Sequence, residues 1–155
     1  MTNEEYMKIA IEEAKKAASE DEVPVGAIVV FLPAGRHGGG DIIAKARNEC
    51  ESRQDPTAHA EILAIQKAAK KLGSWRLYGC KMYVTKEPCP MCAGAIFQAR
   101  IDELIYGAAD VKAGAAGTLY NITNDERLNH QTAVTFGICE EECRKLLQDF
   151  FKKKR

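Results

Sequence analysis

Two short segments rich in metal-binding side chains constrain this chain more than any other feature. His59-Ala60-Glu61 stands at the start of a predicted helix, and Pro88-Cys89-Pro90-Met91-Cys92 stands at a predicted strand-to-helix turn. One imidazole and two thiols make a three-ligand set that suits zinc. Cys89 and Cys92 lie three residues apart at a helix start, where free N–H groups and the positive end of the helix dipole favour thiolates. The fold is therefore expected to bring the starts of two helices together around one ion.

The carboxylate of Glu61 gives this ligand set a chemical role. Three protein ligands leave the fourth tetrahedral position of zinc to water, which is typical of catalytic sites. Zinc lowers the pKa of such a water to about 7, and a neighbouring carboxylate can take its proton and return it to a substrate. The pattern therefore predicts a hydrolytic enzyme.

The start of the second helix decides whether His59 and Glu61 can serve one site. Residues two apart in a regular helix point in different directions, so His59 must lie at the very beginning of the helix. Asp55 and Thr57 are candidate caps there, and Pro56 suits the first helical position. The sequence therefore allows the arrangement that the chemistry needs.

The other cysteines leave alternative interpretations open. A C-x-x-C pair alone is also typical of a structural zinc half-site or a redox pair, although a redox pair would explain neither the imidazole nor the carboxylate. A structural site needs a fourth protein ligand, and Cys80 is the nearest candidate, but its apolar strand favours a core thiol. Cys139 and Cys143 lie on the apolar stripe of the last predicted helix and are expected to pack in the core. Cys50 has no partner and no predicted role.

The order of the predicted strands and helices indicates an α/β fold. Apolar and β-branched runs predict strands at 25–31, 41–46, 80–85 and 103–107. Amphipathic stretches predict helices at 6–18, 57–72, 90–99 and 140–151, with Gly73 ending the second. Segment 32–40, with one proline and four glycines, predicts a mobile loop in a β-hairpin. Strands and helices that alternate in this order require some parallel pairing.

Size and composition fit a single domain over residues 1–155, since this length is near the commonest for one compact domain. The chain has 22 basic and 22 acidic residues, so a nucleic acid would have to meet a local basic patch. The first ten residues carry two glutamates where a secretion signal needs basic residues, and no stretch reaches the ~18 apolar residues of a membrane span. We therefore expect a cytoplasmic protein without membrane contact, whose six cysteines are core thiols or metal ligands.

The pattern H-x-E followed by P-C-x-x-C is the signature of zinc-dependent nucleobase deaminases. From about Glu22 through Phe150-Phe151, the chain resembles one branch of them, the bacterial tRNA-specific adenosine deaminases, which convert the wobble adenosine of a tRNA anticodon to inosine. The segments that carry this resemblance are D-P-T-A-H-A-E-I at 55–62, E-P-C-P-M-C-A-G-A-I at 87–96, G-A-A-G at 114–117 and N-H at 129–130. The first two occur throughout the superfamily, whereas the later two favour the tRNA branch.

The resemblance implies a fold, a cofactor and partners. It implies a three-layer α/β/α cytidine-deaminase-like fold with a central mixed sheet of about five strands. It also implies one Zn2+ per subunit and a homodimer that binds the tRNA anticodon loop.

The resemblance also assigns roles to individual residues. Zinc ligation falls to His59, Cys89 and Cys92, and Glu61 becomes the proton shuttle that serves N1 and the leaving amino group of adenine. Substrate contacts are assigned to Asn48, the backbone N–H of Ala60, and Glu22, Val23, Pro24 and Val25.

Charge is segregated along the chain. Residues 144–155 hold six basic residues and one acidic residue, a net charge of +5. Residues 1–22 hold seven acidic residues and three lysines, a net charge of −4. Basic side chains at the end of the chain would attract phosphates, and a frayed, solvated terminus is the alternative. The residues predicted to contact RNA are Lys152, Lys153, Lys154 and Arg155.

Two departures from the family pattern concern the pocket rim. Segment 32–40 is longer than the usual hairpin turn, and Lys86 stands where an apolar residue is common. One alternative function is therefore a deaminase of a free base or nucleoside such as guanine, cytosine or cytidine. A second alternative is a non-catalytic, zinc-stabilised binding domain in which Cys80 completes the coordination.

Overall fold

The computed structural model describes residues 1–154, which form one sheet with helices on both faces. The helices are α1 (Asn3–Ser19), α2 (Cys50–Arg53), α3 (Ala60–Leu72), α4 (Pro90–Gln98) and α5 (Glu140–Lys153). The strands are β1 (Gly26–Phe31), β2 (Asp41–Arg47), β3 (Cys80–Lys86), β4 (Glu103–Ala108) and β5 (Ala133–Phe136). Within this part of the chain, no helix has the length and apolar character that crossing a bilayer requires.

The sheet is mixed and its strand order is β2-β1-β3-β4-β5. Strand β1 pairs antiparallel with both neighbours, and β3, β4 and β5 run parallel. The α/β class, the parallel pairing and the β1–β2 hairpin are confirmed. Strand β5 was not predicted from the local pattern, because its four residues form a short and partly exposed edge.

Two hydrophobic layers hold the helices against the sheet, which confirms the three-layer α/β/α architecture. Because side chains alternate along a strand, Ala27 and Val29 of β1 face the layer of α3 and α4, and Ile28 and Val30 face the layer of α1 and α5. All four side chains are buried, so β1 is a central strand with two covered faces. The carboxyl end of β3 lies between these layers and leads directly into the turn before α4.

The cysteines away from the predicted metal site are free thiols. Cys143 lies in α5 and is buried in the core beneath it, and burial raises its pKa to about 12. Gly107 makes room for it, since a Cβ at Gly107 would lie 2.4 Å from Cys143 Sγ. The predicted core position of Cys143 is confirmed, whereas Cys139 is only half-buried at the N-cap of α5.

The start of α3 differs from the prediction. The helix begins at Ala60 with His59 as its N-cap, so the prediction of a start at Thr57 is wrong. Asp55 Oδ1 accepts hydrogen bonds from the N–H and the hydroxyl of Thr57, at 2.8 and 2.7 Å, and so closes a turn before the helix. Pro56 lies inside that turn. Gly73 ends α3 in a left-handed conformation with φ 67°, as predicted.

Candidate active site

The starts of α3 and α4 converge at the carboxyl end of β3. His59 and Cys89 are the N-cap residues of these helices, and both have extended backbone angles, with ψ of 151° and 173°. Pro90 follows in the first turn of α4, where its missing N–H costs nothing. His59 is not yet helical, so its side chain and that of Glu61 can reach one site, as the sequence required.

The structure brings His59, Cys89 and Cys92 together. His59 Nδ1 lies 3.6 Å from Cys89 Sγ and 3.4 Å from Cys92 Sγ. Tetrahedral bonds of about 2.0 Å from zinc to nitrogen and about 2.3 Å to sulfur would place these atoms about 3.5 Å apart. The donor atoms therefore already have the spacing of ligands around one tetrahedral ion, and this is the one such group of three found in residues 1–154.

Cys80 does not belong to this group. It lies at the opposite end of β3 from the turn that carries Cys89, and it is fully buried in the core. Burial raises its pKa to about 11, so it stays a thiol. The structure therefore excludes the alternative in which Cys80 is a fourth ligand.

The thiols of Cys89 and Cys92 differ in acidity. Cys92 donates a hydrogen bond to the Cys89 sulfur, and this bond, with a second from His59, lowers the pKa of Cys89 to about 4. The same hydrogen bond and burial raise the pKa of Cys92, which keeps the shared proton. The hydrogen bond with Cys89 also raises the pKa of His59. A cation would replace this proton and ligate both sulfurs.

Glu61 lies in the first turn of α3 and lines the same pocket, but it is outside the ligand group. Its side chain is 4% exposed, and burial raises the pKa of its carboxyl group. A buried carboxyl group with a raised pKa accepts a proton more readily than an exposed one and can pass it on to a neighbouring group.

A pocket of about 500 Å3 opens above this group. Four of the residues that the resemblance assigns to the pocket line it, namely Glu22, Val23, Val25 and Asn48, whereas Pro24 and Ala60 do not. Its other lining residues are Asp21, Cys50, Glu51, His59, Glu61, Lys86, Glu87, Cys89, Asp110, Phe150, Phe151 and Lys154.

Hydrogen bonds within the protein already engage three of the predicted contact residues, namely Asn48, Ala60 and Glu22. Asn48 Oδ1 accepts the N–H of Ala60 at 2.8 Å, which leaves the Asn48 amide nitrogen as the group available to a ligand. The Glu22 carboxylate accepts the N–H groups of Glu51 and Ser52, at 2.9 and 2.8 Å, and so caps the start of α2. The wall formed by these residues is therefore fixed before any ligand binds.

Glu87 is a structural centre that the sequence interpretation missed. It is 1% exposed, and its carboxylate accepts the N–H groups of Asp110, Ala116 and Thr118, each at 3.0 Å. A Cβ at Gly114 would lie 2.5 Å from this carboxylate, which explains the glycine that opens G-A-A-G. The signal was present as an acidic residue inside an otherwise apolar strand-to-helix turn.

The end of the chain packs over the pocket. Phe150 and Phe151 line it, and Lys154 Nζ lies 2.6 Å from Asp21 Oδ1 and 5.5 Å from the centre of the Phe150 ring. Helix α5 continues to Lys153, so the alternative of a frayed terminus is wrong for Lys152 and Lys153. Lys152 and Lys153 are exposed at the helix end, and Arg155 lies outside the described residues.

The two departures from the family pattern lie in different places. Segment 32–40 joins β1 to β2 at the end of the sheet away from the pocket, where Arg36 pairs with Asp41, and none of its residues lines the pocket. The expectation that this loop bears on the rim is therefore wrong. Lys86 does line the pocket, and its Nζ lies 3.1 Å from Asp110 Oδ2.

Comparison with known proteins agrees with this geometry. The family model of MafB19-like deaminases matches residues 1–155. The fold, the His–Cys–Cys group and the buried carboxylate beside it are thus those of a deaminase.

Individual relatives narrow the class. The tRNA-specific adenosine deaminase of Bacillus subtilis is 50% identical over 156 residues, which cover 100% of this chain and 92% of that protein. A solved structure from studies of A-to-I editing by tRNA:A34 deaminases at the wobble position is 41% identical, with a TM-score of 0.83, and covers 92% of this chain and 99% of its own. A guanine deaminase structure from Bacillus subtilis is 39% identical, with a TM-score of 0.63, and covers 76% of this chain and 71% of its own. The chain belongs to the tRNA-specific adenosine deaminases, as its motifs indicated.

Proposed function

We propose that this protein deaminates the wobble adenosine of a tRNA anticodon to inosine, with one Zn2+ per subunit held by His59, Cys89 and Cys92. The observation that carries the proposal is the position of Glu61, buried beside a preformed three-ligand group at one wall of an open pocket. The full-length similarity to tRNA-specific adenosine deaminases supports adenosine in tRNA as the substrate.

The ligand group is arranged to hold a cation without rearrangement. The donor spacing fits a tetrahedral ion, and the helix N-termini at His59 and Cys89 favour the negative charge of two thiolates. When bound, zinc supplies Lewis-acid chemistry that lowers the pKa of water and so provides a nucleophile at neutral pH.

Glu61 carries the protons of the reaction. Its carboxylate takes a proton from the attacking water and delivers it to N1 of adenine while the water oxygen bonds to C6. The same residue then takes the remaining hydroxyl proton to the exocyclic amino group, which leaves as ammonia. Adenosine and one water thus give inosine and one ammonia. Burial of Glu61 keeps competing water away from its proton.

The fixed wall of the pocket orients the base. Asn48 presents its amide nitrogen, because its oxygen is held by the N–H of Ala60. A contact of that N–H with the base would share this hydrogen bond. Glu22, Val23 and Pro24 act as one segment of the wall. The Glu22 carboxylate fixes this segment by accepting two N–H groups at the start of α2, and Val23 offers apolar surface to the base.

The remaining parts of the proposal concern assembly and partners. We propose that residues 1–155 act as one deaminase domain, that two copies form a homodimer, and that the tRNA substrate places the reaction in the cytoplasm. Exposed apolar side chains near the carboxyl ends of the parallel strands offer surface that a second copy could cover. They are Met91, Val111, Leu119 and Tyr120. The basic residues Lys152, Lys153, Lys154 and Arg155 would attract phosphates.

A substrate comparison tests the function. The zinc-loaded protein is incubated separately with an anticodon stem-loop bearing a wobble adenosine and with free guanine, cytosine and cytidine, and ammonia is measured. We expect ammonia from the stem-loop alone, and none from a Glu61→Gln control. Ammonia from guanine instead would support the free-base alternative, which the similarity to a guanine deaminase makes the relevant rival.

A further inference from the structure

Acidic side chains outnumber basic ones along the pocket, although an RNA substrate is itself negatively charged. Six carboxylate side chains line it but only two ammonium groups, those of Lys86 and Lys154. Each of these lysines is paired with a carboxylate in the structure. Among the residues that line the pocket, only Lys86 and Lys154 therefore offer an ammonium group to the phosphates on either side of a target nucleotide.

Lys86 is the better fixed of the two. It is the last residue of β3, and its side chain is 30% exposed, whereas that of Lys154 is 49% exposed at a helix end. The Asp110 carboxylate that holds Lys86 is 11% exposed and also accepts the N–H of Lys112 at 2.9 Å. The N–H of Asp110 is itself bound by Glu87. A chain of short contacts therefore fixes the Lys86 ammonium at the pocket wall.

An ammonium group has three donors, and Asp110 occupies one of them. Among the described residues no second partner of this ammonium is found, and Lys86 lines the pocket. A free base has no phosphate for these donors, whereas a nucleotide within RNA has one on each side.

We propose that Lys86 is a specificity-determining residue that binds a backbone phosphate next to the target nucleotide, so that the pocket favours a base carried in RNA over a free base. This inference rests on the proposed function.

The chain offers a matched control on the same strand. Lys81 pairs with Glu103 at 3.2 Å, much as Lys86 pairs with Asp110 at 3.1 Å. Both lysines lie on β3 beside β4, but Lys81 is at the end away from the pocket and does not line it. Replacing Lys81 removes the same kind of ion pair without touching the pocket.

The experiment compares Lys86→Gln with Lys81→Gln on an anticodon stem-loop, with Lys86→Arg as the charge-preserving variant. We expect Lys86→Gln to raise KM about tenfold at nearly constant kcat and to reduce the slope of log Kd against log salt by about one. Lys86→Arg should restore most of the affinity, and Lys81→Gln should stay within about twofold of the unsubstituted protein. Metal content and thermal unfolding of each variant confirm that the fold is intact.

Chemically modified RNA locates the contact. Single phosphates flanking the wobble adenosine are replaced in turn by uncharged methylphosphonates. One replacement should weaken binding to the unsubstituted protein and to Lys81→Gln, yet leave Lys86→Gln unaffected. The proposal is overturned if Lys86→Gln matches Lys81→Gln, if Lys86→Arg is as impaired as Lys86→Gln, or if every replacement weakens all proteins equally. An unsubstituted protein that neither binds nor deaminates the stem-loop would instead reject the proposed function itself.

Discussion

The metal centre and the pocket mouth are adjacent, but they are built in different ways. The centre comes from two short segments whose helix starts place His59, Cys89 and Cys92 within bonding reach of one ion. The mouth is the outer part of the pocket lined by Asp21, Lys86, Asp110 and Lys154, and these residues come from segments far apart in the chain. The residues expected to carry out the reaction therefore come from local motifs, whereas the residues expected to select the substrate are brought together by tertiary packing. The comparison predicts large, all-or-none effects at the centre and graded effects at the mouth.

Loss of one thiol should have the largest effect. Cys92→Ala removes a ligand from the first turn of α4, so we expect the protein to lose its metal and its turnover together. Elemental analysis of the purified variant measures the first and ammonia release the second. Cys80→Ala is the control, since this thiol lies in the core at the other end of β3 and should affect stability alone. Full zinc occupancy in Cys92→Ala would remove this residue from the ligand set.

Substitution of Glu61 should separate catalysis from metal binding. Glu61→Gln keeps the shape of a buried side chain but cannot shuttle a proton, so turnover should fall by about 10²–10⁴-fold at unchanged zinc content. Single-turnover ammonia release measures this loss. Glu13→Gln, which changes an equally buried glutamate in α1, should leave the rate unaffected. A near-normal rate in Glu61→Gln would show that another group carries the proton.

Glu87 connects the two regions, because it precedes the Cys89 turn and holds the segment that carries Asp110. Glu87→Gln replaces one acceptor oxygen with an NH₂ group that faces backbone donors, and should lower the free energy of unfolding by about 2–4 kcal/mol. Denaturant unfolding measures this. Gly114→Ala disturbs the same contact from the other side and should also destabilise the protein. If neither variant changes stability or zinc affinity, Glu87 does not couple the metal site to the pocket mouth.

The difference between local motifs and tertiary packing also explains which features could be predicted from the sequence. The ligands and Glu61 were predictable because ligand spacing and helix starts are local properties. The position of His59 at the very start of the helix was predictable too, but the candidate caps Asp55 and Thr57 were wrong, because His59 is the N-cap and α3 begins at Ala60. The role of Glu87 was not, since its partners lie 23 to 31 residues away and are backbone N–H groups that any residue carries. Strand β5 was missed for a related reason, since pairing with β4 defines it more than its own four residues do.

The basic chain end should give the smallest effect and tests the mouth at its outer edge. Replacing Lys152, Lys153, Lys154 and Arg155 with glutamine keeps the side chains long and removes four positive charges, of which those of Lys152, Lys153 and Lys154 lie at the helix end beside the pocket. We expect stem-loop affinity to fall by up to about tenfold at low salt and the salt dependence to flatten, with zinc content and kcat unchanged. The control is Lys70→Gln with Lys71→Gln, which removes two positive charges from the last turn of α3, and the two sets are compared per charge removed. Because α3 starts at the metal site, Lys70 and Lys71 lie about 15–17 Å away along the helix axis, beyond the Debye length of about 8 Å at physiological salt. If the slope of log Kd against log salt changes equally per charge removed in both variants, the charges at the chain end act through the net charge of the molecule and not at the pocket mouth.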